Sequence, residues 1–484
     1  MGSDDRQPLT AFFIPYFATG HMIPLVDIAR LLAARGVDST VLATPANAAL
    51  IQRTVDSAAA AGLPIRTLTY PFPAAESGLP PGVENISRLP PADAHRIDDA
   101  TWHVRPSHER LIRAHRPNAV FSDIHFPWTT AMAKEVGAVR ISFDALGLFP
   151  ISVMNVLFGK LPHLAVTRDD EQFLVPGLPH PIHMVRPELP DFLRGKTHIT
   201  GLMESIEEAE AGSLGVVVNS FLEMESEYAD YYYKATNRKF WCVGPVSLAY
   251  TAGDDVATRG SDNPAAAANR QQCFNWLEGK EAGSVVYVAF GSWSHFSDEQ
   301  LREMAAGLEF SGHPFIWVVR DDGATWVPAG FEEQLAGRGL VVRGWAPQVS
   351  VLGHAAVGGF VTHCGWNSVL EGVTSCLPMA TLPLSTEQFI NEKLVVDVLG
   401  VAVRISEAPR GTADGDGAIV PAADVARAVD RIMACNDEAT AMRAVARRLG
   451  AAARVAVKEG GSSYVGLTRL IDEIRAGSRK ESKD

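Results

Sequence analysis

A chain of 484 residues is long for one domain, and two domains of ordinary size are expected. The hydrophobic fraction of 47% fits a soluble globular protein, and no stretch reaches the length of a membrane span. The formal net charge of −13 argues against a nucleic-acid partner, although a single helix terminus can still bind an anion.

The cysteines Cys242, Cys273, Cys364, Cys376 and Cys435 are odd in number and scattered, with no CxxC pair. Neither a disulfide framework nor a zinc site is expected, and no metal. Reduced thiols and an N-terminus, MGSDDRQPLT, without an apolar signal segment point to a cytoplasmic protein.

Thr10 to Tyr16 is an apolar run and reads as a first strand. It is followed by the turn Ala18-Thr19-Gly20-His21 and by Met22 to Ala34, whose apolar residues have helical spacing. Strand, turn and helix in this order open an α/β sheet. Ser39 to Thr44, Ile65 to Tyr70, Ala119 to Ser122 (ending at Asp123), Val139 to Phe143 and Gly215 to Asn219 are further strands. Ala100 to Arg116 reads as a helix and Phe72 to Ala94 as a loop rich in Pro and Gly. Phe149 to Ile199 holds several prolines and shows no period, as pocket-lining segments often do.

Ala249 to Ala268 is rich in Ala, Gly, Asp and Thr and reads as a linker. A second α/β set follows. Ser284 to Phe290, Pro314 to Arg320, Gly339 to Gly344, Val357 to Val361 and Val401 to Ile405 are strands. Pro421 to Arg448 reads as one helix, and Gly460 to Ser463 as a break before a last helix, Tyr464 to Ile474.

The stretch Trp345 to Gln388 carries the most chemistry. Its strand ends at Thr362-His363-Cys364-Gly365, and Trp366 to Glu371 starts a helix. A Gly turn between a parallel strand and a helix presents free N–H groups at the helix N-terminus, where a diphosphate can sit. His363, Asn367 and Ser368 add donors there. Trp345 can stack on a base, Gln348 and Glu371 can hold a ribose diol, and Glu387 and Gln388 can bind sugar hydroxyls.

This stretch resembles the donor-binding box of plant UDP-sugar glycosyltransferases (family 1), and the likeness extends over nearly the whole chain. The resemblance implies a GT-B fold, two Rossmann-like domains facing across a cleft. It divides the chain into an acceptor domain (1–248), a linker (249–270), a donor domain (271–459) and a C-terminal segment (460–484) that packs back on the first domain. A monomer is expected. Donor residues implied are Ser292, Trp345, Ala346, Gln348, His363, Gly365, Trp366, Asn367, Ser368, Glu371, Glu387 and Gln388.

A hydroxyl is a poor nucleophile, so a base is wanted, and His21 and Asp123 both stand at carboxyl ends of strands, where open α/β sheets bind ligands. They resemble the family's His–Asp dyad, in which the histidine is the base and the aspartate orients it. The implied reaction is inverting transfer of glucose from UDP-glucose, a co-substrate rather than a cofactor, to a hydroxyl of a small apolar acceptor such as a flavonoid, another phenolic, a triterpenoid or a steroid. Gln388 favours glucose, while Leu382, Ser385-Thr386 and Leu146 depart from the family pattern and leave other UDP-sugars open. Gly20, Phe126, Leu146, Phe149 and Phe192 are acceptor-side candidates.

Asp414-Gly415-Asp416 lies in a Gly-rich loop and reads as solvated surface. His163, His180, His183 and His198 lack ligand spacing. A nicotinamide-dependent oxidoreductase would need GxGxxG after the first strand, and neither YFATGHMIP nor FGSWSHF supplies it. A non-catalytic sugar-nucleotide-binding protein and a C-glycosylating enzyme are the remaining alternatives.

Overall fold

The computed structural model describes residues 8–195, 200–249, 266–291, 296–319, 331, 335, 337–407 and 419–480. Ser292, His198, Asp414-Gly415-Asp416 and most of the expected linker lie outside the described residues.

Two parallel sheets organise the chain. The first contains β1 (Thr10–Ile14), β2 (Asp38–Ala43), β3 (Ile65–Thr69), β4 (Ala119–Asp123) and β5 (Val139–Asp144). A short antiparallel hairpin, β6 (Phe173–Val175) and β7 (Ile182–Met184), stands apart from it, and β8 (Gly215–Val218) and β9 (Phe240–Cys242) complete it. The strand order is β3-β2-β1-β4-β5-β8-β9. The second sheet contains β10 (Val285–Ala289), β11 (Phe315–Val319), β12 (Gly339–Arg343), β13 (Val357–Thr362), β14 (Met379–Thr381) and β15 (Ala402–Arg404), in the order β12-β11-β10-β13-β14-β15.

The central strands are short, largely apolar and buried, as in sheets whose two faces are covered by helices. β4 and β10 are buried at every position. Between β10 and β13 the register shifts after Val285, beside the point where the Gly358 backbone meets the Gly283 carbonyl. A Cβ on Gly358 would stand 2.0 Å from that oxygen, so only glycine fits.

The last helix, Ser462–Lys480, returns to the first sheet. Leu467, Leu470, Ile471 and Ile474 join the core built by Phe13, Val26 and Phe121. Ser463 Oγ donates to the Gly244 carbonyl at 2.5 Å.

Several elements differ from the sequence expectation. The described part of 149–199, which ends at 195, is not structureless: Leu148–Lys160 is a helix, followed by the β6–β7 hairpin. That helix is apolar on nearly every side, so it lacks the polar face that makes a helical period visible. Pro421 to Arg448 is two helices, Ala422–Met433 and Asp437–Ala456. They separate at Asn436, whose side chain accepts from the Ala439 N–H at 2.9 Å and starts the second helix. The last helix begins at Ser462 and runs beyond Ile474. Helices Pro45–Ala60, Thr129–Glu135, Thr200–Ala211 and Leu222–Thr236 were not anticipated.

Candidate active site

In the first sheet, successive strands build outward from β1 to β3 and then restart on the other side at β4. Open α/β sheets leave a crevice at such a switch point, outside the carboxyl ends of the strands. His21 sits in the first turn of the helix Thr19–Ala33, which follows β1, and Asp123 is the last residue of β4. The topology therefore brings them together, and His21 Nδ1 lies 2.8 Å from Asp123 Oδ2. Asp123 is fully buried, and the His21 side chain is 24% exposed.

Burial alone would raise the Asp123 carboxyl, but the imidazoles of His21 and His125 override it and hold the group well below the usual carboxylate range. Asp123 is thus an anion that only accepts, so His21 carries its proton on Nδ1 and leaves the Nε2 lone pair free. Burial pushes His21 down, but the neighbouring Asp123, then Asp144 and Glu387, outweigh it and leave the imidazole above its ordinary value. Such an imidazole can take a proton from a hydroxyl.

Sequence reasoning missed the groups around the pair. His125 Nδ1 lies 2.6 Å from Asp123 Oδ1, and the His125 backbone N–H donates to the same oxygen at 3.2 Å. Tyr16 stacks on the His125 ring with centroids 3.9 Å apart, and its hydroxyl donates to Asp98 Oδ1 at 2.6 Å. The ligand-type atoms of His21, Asp123 and His125 lie within 4.8 Å of one another, and both imidazole Nδ1 atoms are engaged with the carboxylate as hydrogen-bond donors. Asp144, at the end of β5, has its carboxyl pushed up to about 8, mainly by burial. The Asp-x-His spacing at Asp123 was the available signal, because an Asp side chain commonly accepts from the N–H two residues on.

The second sheet repeats the arrangement. Its switch point lies between β10 and β13. Gly291 follows β10, His363 follows β13, and Gly365 caps the helix Trp366–Thr374. The His363 ring lies between the two glycines, since a Cβ on Gly291 or Gly365 would come within 2.6 Å or 2.5 Å of its Nε2. Burial pushes His363 down to about 4, so it is neutral at pH 7, and its Nδ1 has no hydrogen-bond partner among the described residues. No side chain caps the helix at Gly365, which leaves its first N–H groups for an anion.

Gln348 Nε2 donates to Ser368 Oγ at 3.0 Å and to Glu371 Oε2 at 2.8 Å, joining three expected donor residues in one network. Trp345 is half-buried beside them in sequence, its carbonyl accepting from Asn269 Nδ2 at 2.8 Å, and Ala346 is buried.

Residues from the two sheets meet at the helix Trp366–Thr374. Asn367 Nδ2 donates to the Gly20 carbonyl at 2.7 Å. The Trp366 indole is buried against Gly147, and its Nε1–H donates to the Asn219 carbonyl at 2.8 Å. This indole fills the seam between the sheets and is 2% exposed. Gln388 Oε1 accepts from the N–H groups of Leu384 and Ser385 at 2.9 Å and 3.2 Å, and its Nε2 reaches Ser385 Oγ at 3.5 Å, so the amide braces the turn before its own helix. Glu387 is half-buried and acts electrostatically on His21.

Of the acceptor-side candidates, Gly20 is exposed, Leu146 half-buried, and Phe192 half-buried and stacked on Phe158 at 5.4 Å. Phe126 and Phe149 are fully buried core residues, packed on Phe17 and Trp128 and on Tyr228 respectively.

Known proteins resemble this chain in sequence and in fold. The family described as UDP-glucoronosyl and UDP-glucosyl transferase matches residues 261–419. Scopoletin glucosyltransferase of Nicotiana tabacum is 40% identical, over 96% of this chain and 97% of the relative. UDP-glucose flavonoid 3-O-glucosyltransferase 7 of Fragaria ananassa is 40% identical, over 98% of both chains. The crystal structure of Glycyrrhiza uralensis UGT73P12 with glycyrrhetinic acid 3-O-monoglucuronide superposes with a TM-score of 0.92 at 37% identity, covering 99% of this chain and 98% of that one. The fold is GT-B, and the chain belongs to the plant UDP-glycosyltransferases.

Proposed function

We propose that this enzyme transfers glucose from UDP-glucose to a hydroxyl of a small plant metabolite with inversion, using His21 as the base. The observation that carries the proposal is the His21 Nδ1 to Asp123 Oδ2 contact of 2.8 Å at the first switch point, tied through Gly20 and Asn367 to the helix start at the second.

The acceptor hydroxyl gives its proton to His21 Nε2 as its oxygen attacks the anomeric carbon. The carbon–oxygen bond to the diphosphate breaks, and UDP leaves with the electron pair. Asp123 holds the ring and stabilises the imidazolium without taking the proton. The N-terminus of the helix Trp366–Thr374 meets the leaving-group charge, with Asn367 and Ser368 beside it. Gln348 and Glu371 hold the ribose, Trp345 stacks on uracil, and Glu387 and Gln388 meet the sugar, the Gln388 amide nitrogen giving up its long 3.5 Å contact with Ser385 Oγ. Residues 1–248 carry the acceptor and 271–459 the donor.

Relatives named for scopoletin, flavonoid and anthocyanin glucosylation support flat phenolic acceptors. The Glycyrrhiza uralensis complex with a triterpenoid glucuronide supports larger apolar ones. None of the five cysteines is paired, three being buried, which fits a reducing compartment such as the cytoplasm. Among the described residues no helix is long and apolar enough to cross a membrane.

The test offers UDP-glucose and competing UDP-sugars against a panel of phenolics and triterpenoids, with and without a chelator. A product heavier by one hexose, formed equally well with the chelator, supports the reading. Turnover only with another UDP-sugar overturns the glucose assignment.

A further inference from the structure

We propose that His125 is a positioning residue of this active site: its Nδ1–H fixes the free oxygen of Asp123 and draws part of the carboxylate's charge away from His21. The proposal rests on the reading of His21 as base.

Asp123 is fully buried, and each of its oxygens faces one imidazole, Oδ2 to His21 at 2.8 Å and Oδ1 to His125 at 2.6 Å. Because an anionic carboxylate only accepts, both Nδ1 atoms carry hydrogen, and the two rings pull on the same charge from opposite oxygens. His125 is itself held in place. Tyr16 stacks on its ring at 3.9 Å and 19°, Asp98 fixes the Tyr16 hydroxyl, and the His21 ring meets it edge-on at 5.4 Å. Other titratable groups also act on the pair: Glu387, and Asp144 where it is ionised, favour the protonated His21, and the buried Arg140 guanidinium acts on Asp123.

Without the His125 donor, Oδ1 keeps only the backbone N–H at 3.2 Å. The carboxylate can then swing, and its charge bears more fully on His21. His21 holds a proton more tightly, so a higher pH is needed to free Nε2 for the acceptor. During transfer the acceptor's proton goes to His21 Nε2, and His125 keeps its own Nδ1 proton throughout.

The test measures kcat/KM against pH for the full-length enzyme with UDP-glucose and a phenolic acceptor. His125→Phe keeps a ring on Tyr16 and loses the donor. His125→Asn places an amide N–H near the Nδ1 position. The expected result for His125→Phe is an acid limb moved upward by about one pH unit and a plateau lowered about tenfold. His125→Asn should restore most of both. NMR titration of the His21 ring in the same variants reads the proton affinity without turnover.

A wild-type limb and His21 titration in His125→Phe overturn the proposal. So does an equal loss in both variants with the limb unmoved, since that is the signature of packing alone. His21→Ala separates the two readings. If it is inactive while His125→Phe behaves as wild type, only the role of His125 falls. If it retains activity, the base assignment falls, and the His125 role with it.

Discussion

Asn367 Nδ2 donates to the Gly20 carbonyl at 2.7 Å, so the helix that would bind the diphosphate is tied to the turn that carries His21. The next residue on that helix's N-terminal side, Trp366, donates to the Asn219 carbonyl. Adjacent side chains therefore fix the helix start against the turn after β1 and the end of β8. Asn367→Ala removes the first tie, and about 1 kcal/mol of stability is the expected cost. Activity should fall further, because base and anion site lose their common reference. Steady-state kinetics beside a melting curve check this, with kcat/KM down roughly tenfold while the fold is retained.

Gly147 has no room for a side chain. A Cβ there would lie 2.1 Å from Trp366 Cζ2 and 2.7 Å from Glu225 Oε1. Gly147→Ala should destabilise by about 1–3 kcal/mol through overpacking. Adding Trp366→Phe, which shortens the ring, should recover part of that loss. Denaturation of the two single variants and the double variant would show the non-additivity.

Glu188 and Lys393 form a largely buried ion pair at 3.0 Å, with side chains 12% and 10% exposed, between the segment after β7 and the helix Gln388–Lys393. Glu188→Gln leaves the ammonium without its counter-charge in a poorly solvated place, and a loss of about 3 kcal/mol is expected. The double variant Glu188→Gln with Lys393→Met should be less destabilised than the single one. A lower melting temperature for the double variant would contradict this.

Loss of stability at acid pH has an identifiable source in His108. Burial pushes this imidazole down from 6.5 to about 3, and neither ring nitrogen has a hydrogen-bond partner among the described residues. A lowered histidine contributes stability above its unfolded pKa and loses it as pH falls toward the folded one. Glu225, pushed up by burial to about 7, acts in the opposite sense over part of that range. The readout is therefore a difference. Between pH 6 and 4, wild type should lose about 1.4 kcal/mol per pH unit relative to His108→Phe.

Much of this was legible before any coordinates. Short apolar runs before the turn at His21 and leading into Asp123 and His363 announce parallel strands, because sheets covered on both faces need no polar alternation. The helix Leu148–Lys160 was hidden for the same reason, its residues being apolar all round. The role of Trp366 depends on a carbonyl 147 residues away, which no local pattern encodes. The expectation that Gln388 binds sugar comes from its place at the end of the donor box, and no local pattern shows that its carbonyl oxygen is also held by the N–H groups of Leu384 and Ser385. For Phe126 and Phe149 the sequence leaves pocket wall and core equally open, since composition carries no information on which way a side chain packs, and both are core.

The central claim is that His21, oriented by Asp123, deprotonates the acceptor. The most direct measurement compares wild type, His21→Ala and Asp123→Asn for transfer from UDP-glucose to a phenolic acceptor, with UDP binding measured in each. The account predicts UDP binding unchanged and turnover lowered by about 10²–10⁴ in both variants. Turnover close to wild type in His21→Ala, with UDP still bound, would contradict it.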